Sequence, residues 1–196
     1  LVYTSKLTWF EDMTVKFAKK LSVALMAMGV AVAAQATELT VYTALEADDL
    51  KRYAAEFNKK YPDIKIKWVR DSTGIVTAKL LAEKKNPQAD AVWGLAATSL
   101  LVLKGEEMLQ PYAPAGYQDL SGKFRDADSV PSWVGMNAWM ASICFNTVEA
   151  KKHNLPKPTS WEDLTKPVYK GHVIMPNPNS SGTGFLDVSS WLQIYG

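Results

Sequence analysis

From Leu39 to Lys104 short apolar runs alternate with amphipathic stretches, and this alternation constrains the fold more than any other feature of the chain. Leu39 to Thr43 predicts a strand. Asp48 to Tyr61 places Leu50, Tyr53, Ala54, Phe57 and Tyr61 at helical spacing, with Pro62 just past its end. Ile64, Ile66 and Trp68 then alternate with Lys65, Lys67 and Val69, the period of a strand. The turn Asp71-Ser72-Thr73-Gly74 opens a second helix, Ile75 to Lys85, which Asn86-Pro87 stops. Ala89 to Trp93 reads as a third strand and Thr98 to Lys104 as a third helix. Such a series implies an α/β fold with right-handed crossovers and a mostly parallel sheet covered on both faces. Ligands of such sheets sit beyond the carboxyl ends of the strands. Here those ends are the turns Thr43 to Glu46, Asp71 to Gly74 and Trp93 to Thr98.

Downstream the signals change. Gln110 to Pro131 is loop-like, with Pro111, Pro114, Gly116, Gly122 and Pro131. The long apolar stretch Trp133 to Phe145 carries no charge and suits a buried strand crossing between two lobes. Thr159 and Glu162 form a capping box for a short helix through Leu164. His172 to Met175 reads as a strand and Gly184 to Tyr195 as a helix. Nothing at Gly196 resembles the close of a domain, so the pattern reads as one and a half domains.

The upstream segment points to export. Lys16, Lys19 and Lys20 lead into an apolar run from Leu21 to Ala34, closed by the small-x-small site Ala34-Gln35-Ala36. That run falls short of the ~20 residues a membrane-spanning helix needs. Residues 13–36 therefore read as a signal peptide, residues 1–12 as non-native upstream sequence, and Thr37 as the start of a periplasmic chain. The net charge of +2 is too small to argue for nucleic acid, and the basic residues are dispersed. A single cysteine, Cys144, excludes an intrachain disulfide, and its flanks Ile143 and Phe145 predict a buried structural thiol.

Chemistry concentrates in Pro176-Asn177-Pro178-Asn179-Ser180-Ser181-Gly182-Thr183-Gly184-Phe185. Two glycines permit a tight turn, and three hydroxyls stand near a helix start. Free N–H groups and the positive end of the helix dipole make such a loop an anion seat. The same residues are also what any helix prefers as a cap, and composition leaves both roles open. The Gly-Lys-Thr ending of a nucleotide-binding loop is absent. Neither histidine, His153 or His172, sits in a catalytic motif, and no Gly-x-Ser-x-Gly elbow or His-Glu-x-x-His helix occurs. A serine hydrolase using Ser181 would lack a visible base, so an enzyme is not expected. Asp48 and Asp49 serve the helix N-terminus electrostatically.

Five elements occur in one order: Val41-Tyr42-Thr43-Ala44-Leu45-Glu46, Asp90-Ala91-Val92-Trp93-Gly94, Ile143-Cys144-Phe145-Asn146-Thr147, Pro158-Thr159-Ser160-Trp161-Glu162-Asp163-Leu164, and Ser180-Ser181-Gly182-Thr183-Gly184-Phe185. Together they resemble the periplasmic solute-binding proteins of the ferric-iron, thiamine and phosphonate group of ABC importers. The Tyr-Thr-Ala-Leu-Glu opening and the Asn-Pro-Asn-Ser-Ser-Gly-Thr-Gly-Phe loop resemble the 2-aminoethylphosphonate-binding branch. The resemblance implies a two-lobed type II periplasmic-binding-protein fold with the second lobe incomplete: residues 37–137 as lobe one, and residues 138–196 as the crossing strand and the start of lobe two. It implies a monomer that hands a small ligand to an inner-membrane ABC permease, with no cofactor and no metal.

Carried onto this chain, the resemblance implies that Ser180, Ser181, Gly182, Thr183 and Gly184 seat the phosphonate. Thr43, Ala44, Leu45 and Glu46, the turn Ser72, Thr73 and Gly74, and the pair Trp93 and Gly94 form the facing wall. For an amine at the other end of the ligand, Glu46 offers a charge partner, and Tyr42 or Trp93 a cation–π face. Core packing at the end of a strand is the equal alternative for Trp93. The alternatives for the ligand are ferric iron or another small anion, such as a sugar phosphate.

Overall fold

A computed structural model describes residues 37–196. The expected signal peptide, residues 13–36, and the upstream residues 1–12 lie outside the described residues.

Three strands, β1 (Thr37–Thr43), β2 (Ile64–Arg70) and β3 (Ala91–Trp93), form a sheet in the order β2-β1-β3. Placing the first strand in the middle is what successive crossover connections produce. β1 and β3 run parallel, with Val41 opposite Ala91, Tyr42 opposite Val92 and Thr43 opposite Trp93. The Asp71 N–H donates to the Thr43 carbonyl at 3.2 Å, bringing the carboxyl ends of β1 and β2 to the same edge.

The connections are the helices α1 (Ala47–Lys60), α2 (Thr73–Ala82) and α3 (Ala97–Gly105). Asp48 and Asp49 lie in the first turn of α1 and Lys59 and Lys60 in its last, the charge order that a helix dipole favours. Of the apolar stripe on α1, only Leu50 is buried. α2 and α3 supply the core. Val76, Leu80, Leu95 and Leu103 close around Tyr42, with Val69, Val92, Leu100 and Met108 packed against them. β2 shows the expected alternation: Ile64, Ile66 and Trp68 are half-buried, whereas Lys65 and Lys67 are exposed.

A strap then runs back along the molecule. The Lys104 ammonium pairs with Asp126 at 2.6 Å and Asp128 at 2.8 Å. Asp126, buried, also accepts from the Ser132 N–H at 2.9 Å, and its carbonyl accepts from the Tyr117 hydroxyl. Burial pushes the Asp126 carboxyl up, but Lys104 and the Ser132 N–H outweigh it and hold it below the usual carboxylate range. Helices α4 (Thr147–His153) and α5 (Gly182–Tyr195) follow, with short 3₁₀ turns at Glu162–Thr165 and Pro167–Tyr169.

Four expectations need correction. Trp133 to Phe145 forms no strand; it contributes a single bridge, Val134 to Arg125. A strand is defined by a ladder, and among the described residues none of the three strands lies beside this segment. His172 to Met175 is irregular for the same reason, and Ile174 is almost fully exposed. Cys144 is exposed. In an extended segment of period two, half-buried Ile143 and Phe145 place the residue between them on the opposite face. The capping pair sits one residue later than expected. The Asp163 N–H donates to Ser160 Oγ at 3.2 Å, while Asp163 Oδ2 accepts from the Thr159 N–H and hydroxyl.

Candidate functional site

The turn after β1 is built around Thr43, whose side chain is fully buried and whose Oγ1 accepts from the Leu45 N–H at 3.1 Å. This short side-chain-to-backbone bond folds the chain back over the strand end. Ala44 packs against the core. Gly94, with φ +74°, lies against Leu45: a Cβ there would stand 2.2 Å from Leu45 Cγ. Only glycine meets both demands, a left-handed backbone and a neighbour at contact. Trp93 is 40% exposed, with its ring edge-to-face on Tyr53 at 5.7 Å.

Arg70, the last residue of β2, secures this turn. Its Nε donates to the Leu45 carbonyl and its Nη2 to Glu46 Oε2, each at 2.6 Å. Glu46 is therefore already paired within the protein. Tyr42 points away from the edge. Its buried hydroxyl donates to Glu83 at 2.9 Å beneath Lys79, leaving its ring no face for a ligand amine.

The second part of the edge joins two loops. The Gly74 N–H donates to the Ser180 carbonyl at 2.9 Å, and Gly182 sits so close to Thr73 that a Cβ would be 2.6 Å from Thr73 Oγ1. The N-terminus of α5 thereby abuts that of α2. Ser72 precedes α2 without a side-chain cap, whereas Ser181 caps α5, its Oγ accepting from the Gly184 N–H at 3.3 Å. The loop before α5 is tied down internally. The Asn177 carbonyl accepts from Ser180 and Ser181 N–H, and Asn177 Oδ1 accepts from the Asn179 N–H. Gly184 fits against the Pro176 carbonyl, where a Cβ would lie 2.4 Å from the oxygen.

Thus Thr43, Ala44, Leu45, Glu46 and Gly94 form one cluster, and Ser72, Thr73 and Gly74 form a second with Ser180, Ser181 and Gly182. The Asp71–Thr43 bond links them along one edge. Two open cavities flank α5. One, of about 1100 Å³, is lined by Trp93, Gly94, Gly182 and Phe185. The other, of about 1220 Å³, is lined by Thr183 and Asp187. Arg70 and Asp187 were not singled out from sequence. The signal available was, for Arg70, a charge closing a strand and, for Asp187, a lone acid within an otherwise uncharged helix. Among the described residues no cluster of three or more metal-ligating side chains occurs, and no helix is long and apolar enough to cross a membrane.

Residues 95–189 match a family model described as bacterial extracellular solute-binding protein. A protein of Haemophilus influenzae is 29% identical over 187 residues, covering 92% of this chain and 54% of that one. A probable ABC transporter periplasmic-binding protein of Sinorhizobium fredii is 31% identical over 160 residues, covering 82% of this chain and 43% of the relative. Among solved structures, the periplasmic binding protein AfuA from Actinobacillus pleuropneumoniae, with exogenous fructose-6-phosphate bound, is 28% identical and superposes with a TM-score of 0.69. That likeness covers 82% of this chain and 51% of AfuA. The chain spans about half the length of the proteins it matches. Its α/β architecture is that of the type II periplasmic binding proteins, the expected fold class.

Proposed function

We propose that this chain is the ligand-gripping part of an extracytoplasmic solute-binding protein of an ABC importer, which captures a small phosphonate and delivers it to the inner-membrane permease. One observation carries this proposal: the Gly74–Ser180 bond holds the N-termini of α2 and α5 together at the carboxyl edge of the sheet. Two helix starts in contact concentrate first-turn N–H groups and two positive dipole ends around one position. A phosphonate or phosphate oxygen cluster suits that position. The Thr73 hydroxyl borders it, Ser72 Oγ beside it is not used as a cap, and Thr183 stands in the first turn of α5. Residues 37–137 then supply one wall and residues 138–196 the other, with closure between them as a hinge motion. The segment 13–36 directs export. 2-Aminoethylphosphonate is the ligand proposed within this class.

A second ligand, a sugar phosphate, is favoured by one observation: AfuA was solved with fructose-6-phosphate bound. Both offer a phosphorus oxyanion to the same seat and differ in what lies beyond it. Calorimetric titration of the full-length protein with 2-aminoethylphosphonate, fructose 6-phosphate, inorganic phosphate and ferric citrate separates these. Heat from the phosphonate alone is the expected result. Tight binding of ferric citrate without any response to phosphorus oxyanions would overturn the proposal.

A further inference from the structure

α5 presents one continuous stripe to the second cavity: Thr183, Asp187, Trp191 and Tyr195, each four residues after the last, all line it. Thr183 lies in the first turn of α5, the helix start assigned above to the anion. Asp187 is only 7% exposed and makes no hydrogen bond or ion pair among the described residues. A carboxylate that opens only onto a cavity and faces no lysine or arginine there can take its counter-charge from a ligand. Its surroundings sharpen the point. The lining includes the further carboxylates Glu162 and Glu149, the latter paired with Lys152, and the imidazoles of His153 and His172, but no lysine or arginine. The indole rings of Trp161 and Trp191 meet edge-to-face at 5.6 Å on the same wall. The Trp191 Nε1 is also buried without a partner among the described residues.

We infer that Asp187, with the faces of Trp161 and Trp191, is the seat of the ligand's ammonium group, so that the site takes a zwitterion with its anion at Thr183. The inference rests on the phosphonate-capture proposal and names the group that recognises the other end of the ligand. Four residues of helix rise place the two seats about 6 Å apart along the axis, the scale of a short amino-phosphonate. Glu46, the acid first expected there, already holds Arg70. Aromatic faces beside a buried carboxylate form the environment in which an organic cation replaces its water. A sugar phosphate brings no cation and leaves Asp187 as unpaired as before.

Titrating the full-length protein with 2-aminoethylphosphonate and with ethylphosphonate, the same anion without the amine, tests this directly. The wild type is expected to prefer the amine at least tenfold. Asp187→Asn, which keeps shape and removes charge, is expected to erase that preference while leaving ethylphosphonate affinity within twofold. Trp191→Leu is expected to reduce the preference as well, and near-ultraviolet circular dichroism verifies folding of both. Equal weakening of the two ligands in Asp187→Asn, or no preference in the wild type, would overturn the ammonium seat. Ethanolamine quenching of tryptophan fluorescence separates the two levels. Quenching that vanishes in Asp187→Asn, without any phosphonate binding, keeps the cation seat and removes the anion proposal. No response to either ethanolamine or 2-aminoethylphosphonate overturns the seat.

Discussion

The Gly74 N–H and the Ser180 carbonyl, far apart in sequence, meet at 2.9 Å and lock the start of α2 to the loop before α5. A Cβ on Gly74 would stand 2.8 Å from both the Asn179 and Ser180 carbonyl oxygens. Gly74→Ala must therefore push the two loops apart, at a cost of about 1–3 kcal/mol for overpacking. Ligand affinity is expected to fall at least tenfold in calorimetry, with a lower melting temperature. A variant that binds and melts like the parent would show that this contact does not position the seat.

Thr183 tests the anion end separately. Thr183→Ala is expected to weaken phosphonate binding by about 1–2 kcal/mol, the loss of one charge-assisted hydrogen bond. Ser181→Ala is expected to act on stability instead, because its hydroxyl already caps the helix. Thermal melts and titrations of the two variants should diverge in this way; parallel behaviour would reduce both residues to helix caps.

The strap across α3 predicts a pH dependence. The folded Asp126 carboxyl sits below its ordinary value, so the unfolded chain takes up its proton first as pH falls. Its stabilisation is fully present above about pH 4 and fades as pH drops toward the folded value. Asp163, held low by Lys166 and by the Thr159 N–H and hydroxyl, acts in the same direction. Asp126→Ala strands the Ser132 N–H and leaves the Lys104 ammonium to Asp128 alone, which costs about 2 kcal/mol at neutral pH. The parent's melting temperature should exceed the variant's by about 4–8 °C at pH 7. The gap should narrow steadily toward pH 3, and a gap independent of pH would deny the ion pair its role.

Cys144 offers a quick check on the extended segment. Exposed in the structure, it should react with a maleimide in the native protein at a stoichiometry of one, without denaturant. Protection until unfolding would place this segment in a packed strand.

What could be read from sequence was what is encoded locally. Strand and helix alternation from Thr37 to Gly105 follows from periods of two and 3.6, and the described elements fall within a few residues of expectation. Trp133 to Phe145 shows where this ends. Its extended character is local, and Ile143 and Phe145 do turn inward, but a strand also needs a neighbour that no local pattern names. Glu46 illustrates the same limit for charge: the sign was legible, but its pairing with Arg70 depends on two strand ends meeting. Tyr42 looked available because aromatic residues suit ligand walls; the helix that buries it is settled only by packing. Asp187 could not be weighed at all until the fold placed it, nearly buried, on a cavity wall.

The register of α5 has a consequence for how such a site can diversify. Gly184 is pinned against the Pro176 carbonyl, so the helix cannot rotate about its own axis to accommodate change. One residue inserted between Gly184 and Asp187 would swing everything after it by about 100°. The acid would leave its cavity while the anion seat stayed intact. Substitutions on the stripe can alter selectivity gradually, but a change of length there would convert a reader of two charges into a reader of one.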